Sequence, residues 1–240
     1  MFSIGYLLIA VVDFGVLLWA LRLNKQYPST ALWLATMPLI LLWFDNLTIG
    51  LGSTLGEGAL LKGLNTVRFL GHYILLPFTF IAIGSMARQA GFAWAQPKWV
   101  MGAFCLLATY FMVHDLWLFY HATFYPSCFA ETVRYTTHIT DYTACSPDDV
   151  PGTGQRIPPV PAITLSNMLM LFGIYLWWKI GYKWLFLGAF FATGFFAVPF
   201  SSTGGIVGNV GEPIITAVVL LACVHITKQF GSNRAVANPG

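Results

Sequence analysis

The stretch "MPLILLWFDNLTIGLG", residues 37–52, decides the fold class. An apolar run reaches Asp45 and Asn46 and then resumes, so a carboxylate stands inside what reads as one continuous helix. The chain around it is 57% hydrophobic and 9% charged, whereas soluble domains carry about 25% charged residues. Several apolar runs approach the roughly 20 residues that a membrane-spanning helix needs. The fold class is therefore an all-α membrane protein, multi-pass, in a plasma or inner membrane. With 240 residues there is room for one domain. No basic stripe or recognition motif points to nucleic acid.

Hydropathy places seven transmembrane helices over residues 2–21, 31–51, 67–86, 99–120, 161–178, 184–200 and 206–227. The first has no basic segment before it and reads as a retained span rather than a cleaved leader. An exoplasmic N-terminus and a cytoplasmic C-terminus put Arg22, Lys25, Arg88, Lys98, Lys179, Lys183, Lys228 and Arg234 inside. Lys62, Arg68, Arg134 and Arg156 then lie outside, a ratio of eight to four that satisfies the positive-inside bias. The membrane domain covers 1–230, and the small, polar segment 231–240 reads as a flexible cytoplasmic tail.

The long segment 122–160 between the fourth and fifth helices then falls on the exoplasmic side. It holds Cys128 and Cys145, and an oxidising compartment lets them form a disulfide. Two unrelated free thiols are the alternative. Within the loop, "ETVRYTTHITDYT" alternates β-branched and polar residues, the pattern of a short hairpin cap over the bundle.

Buried polar groups define the candidate site. Asp45 lies about 9 Å from the outer end of its helix at helical rise, and His72, His114, Asp115 and Glu212 fall at similar depth. Asp13 lies nearer the midplane, without a nameable partner. Helical spacing gathers Asn65, Arg68 and His72 on one stripe, Tyr110, His114, Trp117 and His121 on a second, and Asn209, Glu212 and Thr216 on a third. Charged groups in membranes turn inward or pair, so these stripes predict an outward-opening polar pocket with Asp45 as one wall. A purely structural ion pair between Arg68 and Asp45 or Glu212 is the plainer alternative. In the last helix, "SSTGGIVGNVGEP" suggests close packing at Gly204 and Gly208 or a broken helix entry.

The last helix has no lysine before Lys228, which excludes a retinal Schiff base in the usual place. Phosphate-binding glycine loops, HExxH and CxxCH are absent from the sequence. His72, His114, Asp115 and Glu212 are N/O donors, but only estimated depth groups them, so no metal is assigned and no cofactor is identified. A desolvated carboxylic acid acting on a lipophilic molecule fits the residue types better. Trp43, Phe44, Phe69, Tyr73, Tyr110, Trp117, Phe195 and Phe196 are aromatic candidates for its lining, since π faces stabilise cations.

The segment "MPLILLWFD" in the second helix, an acid in the last helix and the seven-span architecture together resemble the integral membrane terpene cyclases. The resemblance implies protonation-started cyclisation with Asp45 and Glu212 as the catalytic acids. That family has Glu after Trp in the second helix, where this chain has Phe44–Asp45. Arg68, His72, His114, Asp115, Tyr110 and Trp117 would then contact or orient the substrate. Three readings stay open: acid-catalysed isoprenoid or lipid chemistry, a non-catalytic subunit of a larger membrane complex, and a transporter or proton relay. The expected partners are membrane lipids, a lipophilic small molecule and other membrane subunits.

Overall fold

The computed structural model describes residues 2–129, 132–198 and 205–237, with side chains up to residue 231. The helices are α1 (Phe2–Gln26), α2 (Thr30–Leu55), α3 (Ala59–Leu75), α4 (Phe78–Gln89), α5 (Lys98–Tyr120), α6 (Val160–Ile180), α7 (Trp184–Phe196) and α8 (Ile206–Ala237). Counting α3 and α4 as one run, Ala59–Gln89, six helices among the described residues are long and apolar enough to cross a membrane. The seventh expected span corresponds to α7. Its 13 residues extend about 20 Å, short of the roughly 30 Å hydrocarbon core.

Helix boundaries differ from the hydropathy reading for local reasons. The third span starts at Ala59 rather than 67, because Lys62, Asn65 and Thr66 depress hydropathy without stopping the helix. Asn65 and Thr66 turn back to bond the Leu61 and Lys62 carbonyls at 2.8 and 2.9 Å. The same span breaks between Leu75 and Phe78, where Pro77 cannot donate to the carbonyl one turn back. Helix α2 runs to Leu55, four residues past its expected end at 51. Ser29 caps its start by accepting from the Leu32 N–H at 3.2 Å.

Helices α1 and α2 form an antiparallel hairpin, pinned by Asn24 Nδ2, which donates to Thr36 Oγ1 at 2.8 Å. The apolar core fills the half of the bundle nearest that connection. Leu32, Leu39, Phe80, Met86, Leu176, Leu185, Leu220 and Ile226 are fully buried there. Asp13, Asp45, Asn46 and Arg68 are buried outside that apolar core, farther along the same helices. The glycine-rich entry to the last helix lies partly outside the described residues, Gly204 included. Within them, Gly208 has ordinary space, since a Cβ there would meet only Phe196 at 3.8 Å, whereas at Gly211 a Cβ would meet the Ala192 carbonyl of α7 at 3.1 Å.

The long loop carries a two-stranded antiparallel sheet, β1 (Tyr125–Phe129) and β2 (Thr132–Thr136), with Tyr125 opposite Thr136 and Phe129 opposite Thr132. The hairpin lies earlier than its sequence pattern suggested. Only β2 falls in "ETVRYTTHITDYT", and the remainder pairs elsewhere: Ile139 exchanges backbone bonds with Thr153 and Gly152 at 2.9 Å. The sheet rests on the bundle. Thr132 Oγ1 donates to the Ile49 carbonyl at 2.6 Å, and the Gly58 N–H donates to the Tyr135 hydroxyl at 3.2 Å. Gly52 lacks the Cβ that would strike the Val133 carbonyl.

Cys128 and Cys145 form a disulfide, with a Cα–Cα distance of 4.7 Å. The Cys128 N–H also donates to the Thr143 carbonyl at 2.9 Å. Cys145→Ser is expected to cost about 3 kcal/mol, the chain-entropy contribution of a loop this long. A denaturant titration of the purified chain reads the loss directly. A cost under about 0.5 kcal/mol would mean the docked hairpin holds the loop without help from the bridge.

Candidate functional site

Asp45 and Asn46 are consecutive on α2, so their side chains leave the helix about 100° apart and serve different neighbours. Asp45 turns to α3. Its Oδ1 accepts from Arg68 Nη1 at 3.1 Å and lies 3.0 Å from His72 Nε2. An ionised carboxylate only accepts, so the bond to His72 requires the Nε2–H form of the ring. Asp45 and Arg68 are both buried, and His72 is half-buried. The Arg68 guanidinium also lies 4.5 Å from the centroid of the Phe69 ring.

Asn46 turns the other way, to α1 and α8. Its Nδ2 lies 2.8 Å from Asp13 Oδ2, 3.2 Å from Glu212 Oε2 and 3.1 Å from the Leu42 carbonyl. Its Oδ1 accepts from Asn209 Nδ2 at 2.8 Å. The two carboxylate oxygens, 2.8 and 3.2 Å from one nitrogen, therefore stand no more than 6.0 Å apart. Asp13 is completely buried, and its Oδ1 has no hydrogen-bond partner. No salt bridge reaches Asp13 or Glu212 among the described residues.

The hairpin closes the site from above. Arg134 on β2 is buried and reaches the phenol of Tyr6 on α1, within electrostatic range of Asp45 and Arg68. Burial pushes the Arg134 guanidinium down to about 10, against a partial restoring effect from Tyr6. The polar groups are thus packed on one another beneath the disulfide-bearing loop.

The structure brings together Asp45, Arg68, His72 and Glu212 from the sequence-derived set. It joins to them Asn209 of the third stripe and Asp13, and adds Asn46, Tyr6 and Arg134. The depth also shifts. Asp45 lies ten residues from the end of α2 and Asp13 eleven from the start of α1, about 15 and 16 Å at helical rise. The cluster therefore sits near mid-helix, deeper than the expected 9 Å, because α2 is longer than its hydropathy indicates. Asp13 is at the level of the other acids rather than alone below them.

The α5 stripe is corrected. Tyr110 and Trp117 are 58% and 65% exposed on the outer surface of the bundle, with His114 and His121 beside them. Asp115 faces inward and is buried, with its Oδ1 2.9 Å from His114 Nδ1. Of these two adjacent residues the acid is the buried one, and His114 is only half-buried. Tyr110, His114 and Trp117 consequently stand away from the Asp45 cluster.

An apolar groove of about 460 Å³ runs between α1 and α8, and neither Asp13 nor Glu212 is among its lining residues. Ile9, Val12 and Val16 line one wall and Val210, Pro213 and Ala217 the other. These residues bracket Asp13 and Glu212 in sequence, so the groove and the carboxylates share the same helical turns. Fold and site together define an α-helical membrane protein with a buried carboxylate–amide cluster at its centre. No protein-family model matches the chain, and no curated protein matches it.

Proposed function

We propose that this is a multi-pass membrane protein that takes a lipophilic small molecule from the bilayer and acts on it through the Asp13–Glu212 pair. One observation carries the reading: carboxylates from α1 and α8 converge on a single amide nitrogen of Asn46, on the helical turns whose apolar residues line a groove between the same two helices. Two carboxylates on one donor, with no cation bonded to either among the described residues, are suited to hold one proton between them. A proton held in an apolar medium is the requirement for general acid attack on an alkene or epoxide of a lipid. Asp45, engaged by Arg68 and His72, then serves as a charge-balanced wall that fixes α3 against α2. Acid-catalysed isoprenoid or lipid chemistry, as in the terpene cyclases, is the reaction class. The Lys and Arg distribution and the disulfide in the long loop support an exoplasmic N-terminus.

The groove's occupant enters sideways, since Leu8 and Val12 on its rim are exposed on the lipid side. The test is mass spectrometry of lipids extracted from the natively purified chain, compared with those of Val12→Trp and Glu212→Gln. The expected result is one lipophilic species enriched over bulk lipid, lost when Trp fills the groove. With Glu212→Gln it should accumulate unconverted. An extract that matches bulk membrane in all three samples rules the reading out.

A second reading, an integral subunit of a larger complex, has its own observation. Helix α5 is the least enclosed of the spans, and its exposed Tyr110, Trp117 and Tyr120 form an outward aromatic row. Photocrosslinking from position 117 in native membranes would capture a protein neighbour under that reading and only lipid under the first.

A further inference from the structure

Helix α5 carries a buried acid that takes no part in the hydrogen bonds around Asp45 and Asn46. Asp115 Oδ1 lies 2.9 Å from Nδ1 of its neighbour His114. The His114 side chain is 41% exposed, against 6% for Asp115, so the pair leads from the interior of the bundle to its outer surface. We propose that His114 is the axial ligand of a metallated tetrapyrrole, of the haem or chlorin type, held against the outer face of α5. The inference is independent of the function proposed for the Asp13–Glu212 pair.

The carboxylate sets the state of the ring. An ionised carboxylate only accepts, so Nδ1 carries the hydrogen, and Nε2 of the neutral imidazole keeps the lone pair that binds metals. Donation to a carboxylate is also what orients a metal-binding imidazole and raises its basicity. Among the described residues His114 makes no other hydrogen bond. His114 lies six residues before the end of α5 at Tyr120, about 9 Å inward at helical rise. At that depth lipid offers nothing to a polar nitrogen, and an unsatisfied polar group in an apolar medium is costly. The partner of Nε2 therefore comes from outside the chain.

A bare metal ion does not fit. No third His, Cys, Asp or Glu side chain among the described residues joins His114 and Asp115 in a group able to hold one. One imidazole supplies one ligand, so the metal must bring its other donors with it, as the four nitrogens of a tetrapyrrole do. The surroundings suit a flat apolar molecule. Tyr110 and Trp117, about one turn to either side, and Val113 are exposed on the same outer surface. The Tyr110 ring stacks on the His114 imidazole with centroids 5.8 Å apart. A donor on a neighbouring helix would also satisfy Nε2, but it would not require a buried carboxylate behind the ring.

The test titrates the purified full chain in micelles with haemin, with a zinc chlorin and with metal-free protoporphyrin, read by the shift of the Soret band. A metallated probe should bind one per chain, and the tighter of the two names the metal class. His114→Ala should abolish the shift, and free imidazole should restore it. Asp115→Asn should weaken binding about ten-fold, the effect of losing the group that orients a metal-binding histidine. His121→Ala is the control. His121 stands two turns outward on the same helix, with Nδ1 2.9 Å from the Trp117 carbonyl, and its loss should leave the titration unchanged. Binding that survives His114→Ala, or that metal-free protoporphyrin matches, would be partition onto an apolar face and would overturn the ligand. Loss with His121→Ala alone would move the ligand to that residue and overturn the assignment. A chain that shifts neither metallated probe leaves Nε2 to a neighbouring helix and refutes the proposal. Should Asp115→Asn fail to fold, His114→Ala with imidazole rescue decides alone, since His114 lies at the surface.

Discussion

Replacing Asn46 by leucine should destabilise the protein by about 3 kcal/mol, although leucine fills nearly the same volume in an apolar setting. The amide nitrogen of Asn46 is the donor that Asp13 and Glu212 share, at 2.8 and 3.2 Å, and its oxygen receives Asn209 at 2.8 Å. Interhelical hydrogen bonds in membranes average about 0.6 kcal/mol. Bonds to charged groups are worth about 1.5–3 kcal/mol, and a stranded buried partner adds its desolvation cost. Two carboxylates and one amide are stranded at once here, which puts the effect well above the membrane average. Asp13→Asn should cost no more than about 1 kcal/mol, because the new amide oxygen still accepts from Asn46. Glu212→Gln in the Asn46→Leu background should recover part of the loss by removing one unpaired carboxylate. Unfolding in mixed micelles measures all four chains. If Asn46→Leu unfolds at the wild-type midpoint, Asn46 is not the residue that holds α1, α2 and α8 together.

Asn46 also shows where sequence reading stops. It stands beside Asp45 in the stretch that defines the fold class, yet a neutral amide carries no charge to mark it among buried groups. Asp45, Arg68 and His72 were legible because helical spacing puts Arg68 and His72 on one stripe and membrane cost forces them to find a carboxylate. The Cys128–Cys145 bridge was legible because both residues lie in a single loop. Helix α5 was misread for a different reason. Spacing shows that Tyr110, His114 and Trp117 share a face, but not which face turns inward, and the buried neighbour Asp115 decides that. Arg134 belongs to a loop strand whose alternation gives no direction at all. Its approach to Tyr6 depends on how the hairpin docks on α2, through Gly52 and Thr132. Depth failed by a few residues, because helix ends extend past the apolar window into segments such as "STL" after Gly52.

Arg68→Met is the second large effect, and its double variant separates structure from chemistry. Removing Arg68 leaves Asp45 buried with only His72, which carries charge only when protonated. Breaking a buried ion pair on one side costs about 3–5 kcal/mol, since the remaining charge is uncompensated. Asp45→Leu alone strands the guanidinium and should cost a similar amount. Replacing both at once removes the uncompensated charge, and apolar substitutes for a buried pair are often neutral or stabilising. The Asp45→Leu, Arg68→Met protein should therefore unfold within about 1 kcal/mol of wild type. A double variant as unstable as either single one would show that neither charge is compensated by the other. A stable double variant then reports on function. Unaltered conversion of the bound lipid assigns Asp45 and Arg68 to the architecture of the site. Loss of conversion in a folded protein makes their charges part of the field in which the Asp13–Glu212 pair works.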